Sequence, residues 1–157
     1  MRDLSRDDGA AMVEFLGVSL LLLVPLVYLV VAMAQVQAGS FAAEIAAREA
    51  ARAAVVGGVA ALEDGATLNS ALAAGARRAD AVTALTVEDF GLGHDAAEVR
   101  LACSSTPCFR PGSDITAEVT IEVTLPGVPA MVAEWMPLSV TVSSTSTSAV
   151  DGFASGS

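Results

Sequence analysis

A long charge-free apolar run near the N-terminus constrains this chain more than any other feature. No charged residue occurs from Phe15 to Ala43, and Phe15–Ala34 reads FLGVSLLLLVPLVYLVVAMA. About 20 apolar residues in helical form cross a hydrocarbon core of roughly 30 Å. A membrane-spanning helix is therefore expected over residues 10–34, with Pro25 tolerated inside it as a kink. The competing reading is a secretory signal peptide, whose apolar core is about 7–15 residues long. Ala32-Met33-Ala34 imitates the small-residue cleavage site of such a peptide. The length of the run, its proline and the acid just before it favour a retained anchor. That acid is Glu14. A charge at the centre of a span costs on the order of 2.5–3.5 kcal/mol, so an acid kept at the edge is a functional candidate. A snorkelling edge residue without a partner is the plainer account.

Helical character continues beyond the span. Gln35 to Val56 is alanine-rich and free of proline. Glu44 and Arg48 form a favourable i,i+4 pair, and Glu49 and Arg52 add an i,i+3 pair. Ala42, Ala46, Ala50 and Ala54 make a stripe at i+4 spacing, with Ala43, Ala47 and Ala51 beside it. Small residues so spaced let helices approach closely, although alanine also simply favours helix. Gly57-Gly58 is the expected terminator. From Ala10 such a helix runs to roughly 70 Å at 1.5 Å per residue, so its second half must leave the membrane.

A second, shorter helix is expected from about Thr67 to Val82, capped by Thr67 or Asp64 and weakened by Gly75. From Ala84 the period shifts towards two. Thr86–Phe90, Glu98–Cys103, Asp114–Leu125 and Leu138–Thr147 carry strand-like alternation. In the clearest, Ile115, Ala117, Val119, Ile121, Val123 and Leu125 share one face, opposite Thr116, Glu118, Thr120, Glu122 and Thr124. That pattern describes a half-buried antiparallel strand, bracketed by Pro111-Gly112 and Pro126-Gly127 as turns. Trp135 and Met136 are expected to close the sheet core, and Ser155–Ser157 to fray. The fold class is α+β. The expected division is a short charged segment over 1–9, the span over 10–34, a continuation of the helix outside the membrane over 35–58, a small α+β domain over 59–149 and a tail over 150–157.

Charge narrows the partners. The chain carries 8 basic and 18 acidic residues, a net charge of −10. Such a surface repels phosphate backbones, which argues against nucleic acid and against anionic head groups. All the basic residues are arginine, which excludes a lysine isopeptide bond or a lysine nucleophile for sortase chemistry; Leu125-Pro-Gly-Val-Pro129 lacks the threonine of a sortase signal. Cys103 and Cys108 enclose four residues, and outside the cytoplasmic membrane a disulfide-closed loop is the natural reading. Unpaired thiols would fit a cytoplasmic location instead. Zinc needs four ligands in a structural site, and His94 is the sole histidine. No metal, cofactor or catalytic residue is assigned. Asp89-Phe-Gly91 spells a kinase signature without its companions, and nothing marks a nucleophile that His94 would serve.

Several of these residues, taken together, resemble a known family. Gly9, Ala10, Glu14 and Phe15 are similar to the processing site of type IV pilins and Flp-type pseudopilins. With the apolar helix and Pro25, the tract Ala46-Ala-Arg-Glu-Ala-Ala-Arg52 resembles the TadE-like family of the tight-adherence (Flp) pilus system. The Cys loop, Pro111-Gly112 and the Val/Thr strand are a softer match. The resemblance covers Gly9 to about Ala149 and implies a pilin-like fold. It also implies cleavage after Gly9 by a prepilin peptidase, a cytoplasmic N-terminus and an extracytoplasmic domain; Arg2 and Arg6 before the span against Arg48 and Arg52 after it barely decide orientation. The implied function is a non-catalytic minor pseudopilin or assembly subunit, with pilin subunits, the Tad machinery and the membrane as partners. Glu14, Ala46, Arg48, Glu49 and Arg52 are the implied assembly residues. Asp7-Asp8 departs from the more basic leaders of many processed subunits. The alternative is an unprocessed, single-pass extracellular binding module unrelated to pili.

Overall fold

A computed structural model describes residues 7–127 and 138–151. Trp135, Met136 and Ser155–Ser157 lie outside the described residues, so the expectations placed on them are not addressed. The described chain is α+β. A very long helix, α1 (Asp7–Glu63), is followed by α2 (Leu68–Asp89), a 3-10 turn (His94–Ala96) and three strands, β1 (Ala97–Cys103), β2 (Asp114–Thr124) and β3 (Ser139–Ala149). The strands form one antiparallel sheet in the order β1-β2-β3.

Helix α1 does not stop at Gly57-Gly58, as the sequence suggests. It continues to Glu63 and closes where the hydrogen bonds allow it. Gly65 takes φ +83°, its N–H donates to Leu62 O at 3.0 Å, and Ala66 N–H donates to Ala61 O at 2.9 Å. These two bonds define a Schellman closure, for which glycine is favoured because it enters the left-handed region without a Cβ penalty. Gly57 and Gly58 serve packing instead. A Cβ on Gly57 would lie 3.1 Å from Arg78 Cδ and 3.3 Å from Ala74 O, both on α2, and one on Gly58 would overlap the Phe109 ring.

Thr67 caps α2, accepting from Ser70 N–H at 3.3 Å. This helix runs past Val82 to Asp89, so the strand expected over Thr86–Phe90 is absent. Tertiary packing decides the matter. Ala71, Gly75, Ala79, Thr83 and Val87 are all buried at i+4 spacing, and burial of that stripe outweighs the β preference of Thr86 and Val87. The Thr86 hydroxyl donates back to Val82 O at 2.9 Å. A second Schellman closure ends α2, with Gly91 N–H on Glu88 O (2.8 Å) and Leu92 N–H on Val87 O (3.1 Å). The Asp89-Phe-Gly91 triplet is therefore a helix end.

The sheet follows its pattern. Ile115, Ala117, Val119, Ile121 and Val123 are 0–1% exposed, while Glu118 and Glu122 face solvent. Each fully buried Val or Ile contributes about 1.5–3 kcal/mol relative to exposure. The buried face lies on α1, which also packs against α2. Both alanine stripes, Ala42/46/50/54 and Ala43/47/51, are 0–1% exposed within this core. Val150, assigned to the tail by sequence, belongs to the core: it is 2% exposed, its N–H donates to Ser113 O (2.7 Å), and its carbonyl accepts from Gly112 N–H (3.1 Å).

The glycine contacts can be tested by substitution. Gly58→Ala gains about 1 kcal/mol of helix propensity but forces overpacking that costs typically 1–3 kcal/mol. It is expected to lower the unfolding temperature in detergent, whereas Gly17→Ala, with open space around it, leaves it unchanged or raises it. Equal effects of the two substitutions would contradict the packing role of Gly58.

Candidate functional site

The chemistry-bearing residues singled out by sequence fall in three places: the projecting half of α1, the domain-forming half of the same helix, and the loop at the end of β1. From Ala10 onward α1 contains an 18-residue window with mean hydropathy 2.7, none of it buried by the rest of the chain. Met12, Val13, Phe15, Leu21, Leu22 and Val24 are all 63–74% exposed. This helix is long and apolar enough to cross a membrane, and it meets nothing of its own chain along most of that length. Glu14 is exposed at its start, and the Gly9–Ala10 peptide lies within the helix.

Further along, α1 has two opposite faces. The alanine face is consumed by the fold, so Ala46, at 0% exposure, offers no surface to a neighbouring subunit. Arg48, Glu49 and Arg52 stand on the opposite, exposed face. Arg48 pairs with Glu44, and with side chains 64% and 50% exposed the pair contributes little, about 0–1 kcal/mol. Among the described residues, Glu49 and Arg52, expected to pair at i,i+3, form no ion pair. Sequence reasoning missed the apolar members of this face: Phe41, Ile45 and Val56 are 60%, 43% and 50% exposed. Their spacing from Glu49 and Arg52 was the available signal, since Phe41, Ile45 and Glu49 recur every four residues, as do Arg52 and Val56.

Cys103 and Cys108 form a disulfide, with Cα atoms 5.7 Å apart, at the end of β1. The loop is tied to β2 by Ser104 N–H on Asp114 O (2.9 Å) and Asp114 N–H on Ser104 Oγ (2.8 Å). Immediately after Cys108, Phe109 adopts φ 61° and is only 7% exposed. A Cβ on Gly75 would lie 3.4 Å from Phe109 Cζ and 2.7 Å from Ala54 O. Phe109 thus fills the space left by glycines on both helices, and the disulfide loop holds it there.

Among the described residues, no group of three or more His, Cys, Asp or Glu side chains is placed to hold a metal. A cavity of about 220 Å³, lined by Val59, Leu62, Glu63, Phe109, Pro111, Val150 and Asp151, falls below the range of roughly 300–1,000 Å³ usual for small-molecule sites. Comparison with known proteins adds no assignment: the chain matches no family model, no curated protein and no solved structure.

Removing the disulfide tests the role of the loop. Closing so short a loop is worth about 2 kcal/mol by chain entropy. Cys103→Ala/Cys108→Ala is therefore expected to lower unfolding stability by about that much, and reductant should do the same to the parent chain but not to the variant. No loss in either case would show that the bond contributes nothing to seating Phe109.

Proposed function

We propose that this chain is a non-catalytic minor pseudopilin or pilus-assembly subunit of a Flp/Tad-type system, anchored by α1 and carrying a small extracytoplasmic α+β domain. The observation that carries the reading is the unpartnered apolar half of α1, with one acid at its start, continuous with the spine of a folded domain. A helix apolar on every side needs lipid or other helices around it. Glu14 is where a lone carboxylate is useful and not prohibitive. In the pilin-like reading a prepilin peptidase cuts after Gly9, and the new amine of Ala10 on one subunit pairs with Glu14 of its neighbour. Such pairing neutralises a costly carboxylate and fixes the register between helices, the best-attested use of buried ion pairs. Above the membrane, the assembly face is the one bearing Phe41, Ile45, Arg48, Glu49, Arg52 and Val56, because Ala46 and its neighbours are already engaged within the subunit.

Two measurements test this. Intact mass of the protein from membranes of a host with a prepilin peptidase should correspond to a chain starting at Ala10; an intact Met1 would favour the unprocessed binding module. Glu14→Ala should insert normally but disappear from the sheared pilus fraction. Wild-type levels of the variant in pili would overturn the role assigned to Glu14.

A further inference from the structure

The turn after β2 reaches back along α1 into its apolar run. A Cβ on Gly127 would lie 3.6 Å from Tyr28 Cε2 and 3.8 Å from Cδ2, so the turn lies beside the Tyr28 ring, within about a methyl group of contact. Helical side chains lean towards the helix N-terminus, which puts the turn level with Tyr28 or slightly below it. Above Tyr28 the helix still exposes Leu29, Val30, Val31 and Met33, at 64%, 61%, 43% and 56%.

Lengths then decide what surrounds the turn. From Phe15 to Tyr28 the helix rises only about 20 Å at 1.5 Å per residue, against a hydrocarbon thickness of about 30 Å. If the apolar layer starts just after Glu14, its far boundary falls near Ala34, about 9 Å above Tyr28. If instead the helix shifts so that the boundary falls at Tyr28, Glu14 enters hydrocarbon by about 9 Å, at a cost that rises towards the roughly 2.5–3.5 kcal/mol of a charge at the centre. In both placements lipid reaches the turn.

The tip suits that position. Among the described residues of the tip, Leu125, Pro126, Gly127 and Leu138 carry no charge, and β3 has none along its whole length; Glu134, in the connecting segment, lies outside the described residues. Pro126 has no N–H to satisfy, and Leu125 N–H donates to Leu138 O at 3.0 Å, which limits the unpaired backbone groups taken out of water. Leu138 is 37% and Tyr28 40% exposed, and tyrosine is enriched at membrane–water interfaces.

We propose that the β2–β3 end of the sheet is a lipid-docking surface, seated in the headgroup–acyl boundary of the outer leaflet and holding the domain down on the membrane. The inference rests on the reading of α1 as a membrane anchor but not on any role in pili. Its partner is a neutral phospholipid surface, since the chain's charge of −10 gives no attraction for anionic head groups.

Site-directed nitroxide labelling of the full chain in phosphatidylcholine vesicles tests it, with the native cysteines protected in their disulfide. Single cysteines at Leu138, Val24 and Asp64 would be compared for collision with oxygen and with a water-soluble nickel chelate; Thr124, exposed at the same end of the sheet, repeats the reading at a second position. The expected result is an oxygen-to-nickel ratio at Leu138 and Thr124 severalfold above that at Asp64 and approaching that at Val24. Ratios like Asp64 at both positions, with Val24 in lipid, would overturn the seating while leaving the anchor intact. A water-exposed Val24 would overturn anchor and seating together. Low collision with both reagents at Leu138 would mean that protein, not lipid, covers the tip, which also overturns the proposal.

Discussion

Everything in this structure depends on how closely other elements approach one face of α1. Two rows of alanine, with Gly39, Gly57 and Gly58 in line, leave that face almost without side chains. A Cβ on Gly39 would overlap Val123, and Ala54 O lies where a side chain on Gly75 would begin. Close-packed interiors tolerate neither voids nor surplus methylenes. The bulk missing from α1 is therefore supplied by its neighbours: Val and Ile from β2, and the Phe109 ring between the two helices. The same helix is apolar on every side in its first half, which its own chain leaves largely exposed apart from the turn beside Tyr28. One element is thus both the spine of a folded domain and a rod suited to lipid, and burial of its alanine face begins at Gly39.

Much of this was legible in the sequence, for particular reasons. The apolar run needs only length and the absence of charge to be read. Strand β2 was explicit because strict alternation over eleven residues, from Asp114 to Thr124, has no competing period. Thr67 showed itself as a cap by preceding an alanine-rich stretch, and the cysteine spacing suggested the closed loop. The glycines were misread. Gly57-Gly58 looks like a helix end until the Phe109 ring and Arg78 are known to need that space, whereas the true ends at Gly65 and Gly91 sit in less conspicuous contexts. Thr86–Phe90 reads as strand locally, and only the buried i+4 row ending at Val87 shows why it is helical. Contacts between residues fifty positions apart, such as Gly58 with Phe109, leave no local trace.

The candidate functional residues were legible as types more than as surfaces. Glu14 stood out because acids are expensive beside hydrocarbon, and it is exposed at the start of the unpartnered helix. The alanine-arginine tract drew attention as one unit, yet the fold divides it: its alanines turn inward and its charged residues outward. On the proposed reading, that division moves the assembly surface from the small residues to the exposed mixed face of Phe41, Ile45, Glu49 and Val56. The contact of the sheet tip with Tyr28 had no sequence signal, since it joins an anchor residue to a turn about a hundred positions away.

The central claim is that α1 remains a single unbroken rod joining lipid-facing and domain-forming halves. Nitroxide labels at Leu22 and Val56, both on exposed sites of the full chain in bilayers, measure it by pulsed electron–electron distance spectroscopy. An unbroken helix predicts a narrow distribution centred at about 51 Å, from 1.5 Å per residue. A broad distribution, or one centred well below that value, would mean a hinge between the two halves and would contradict the account.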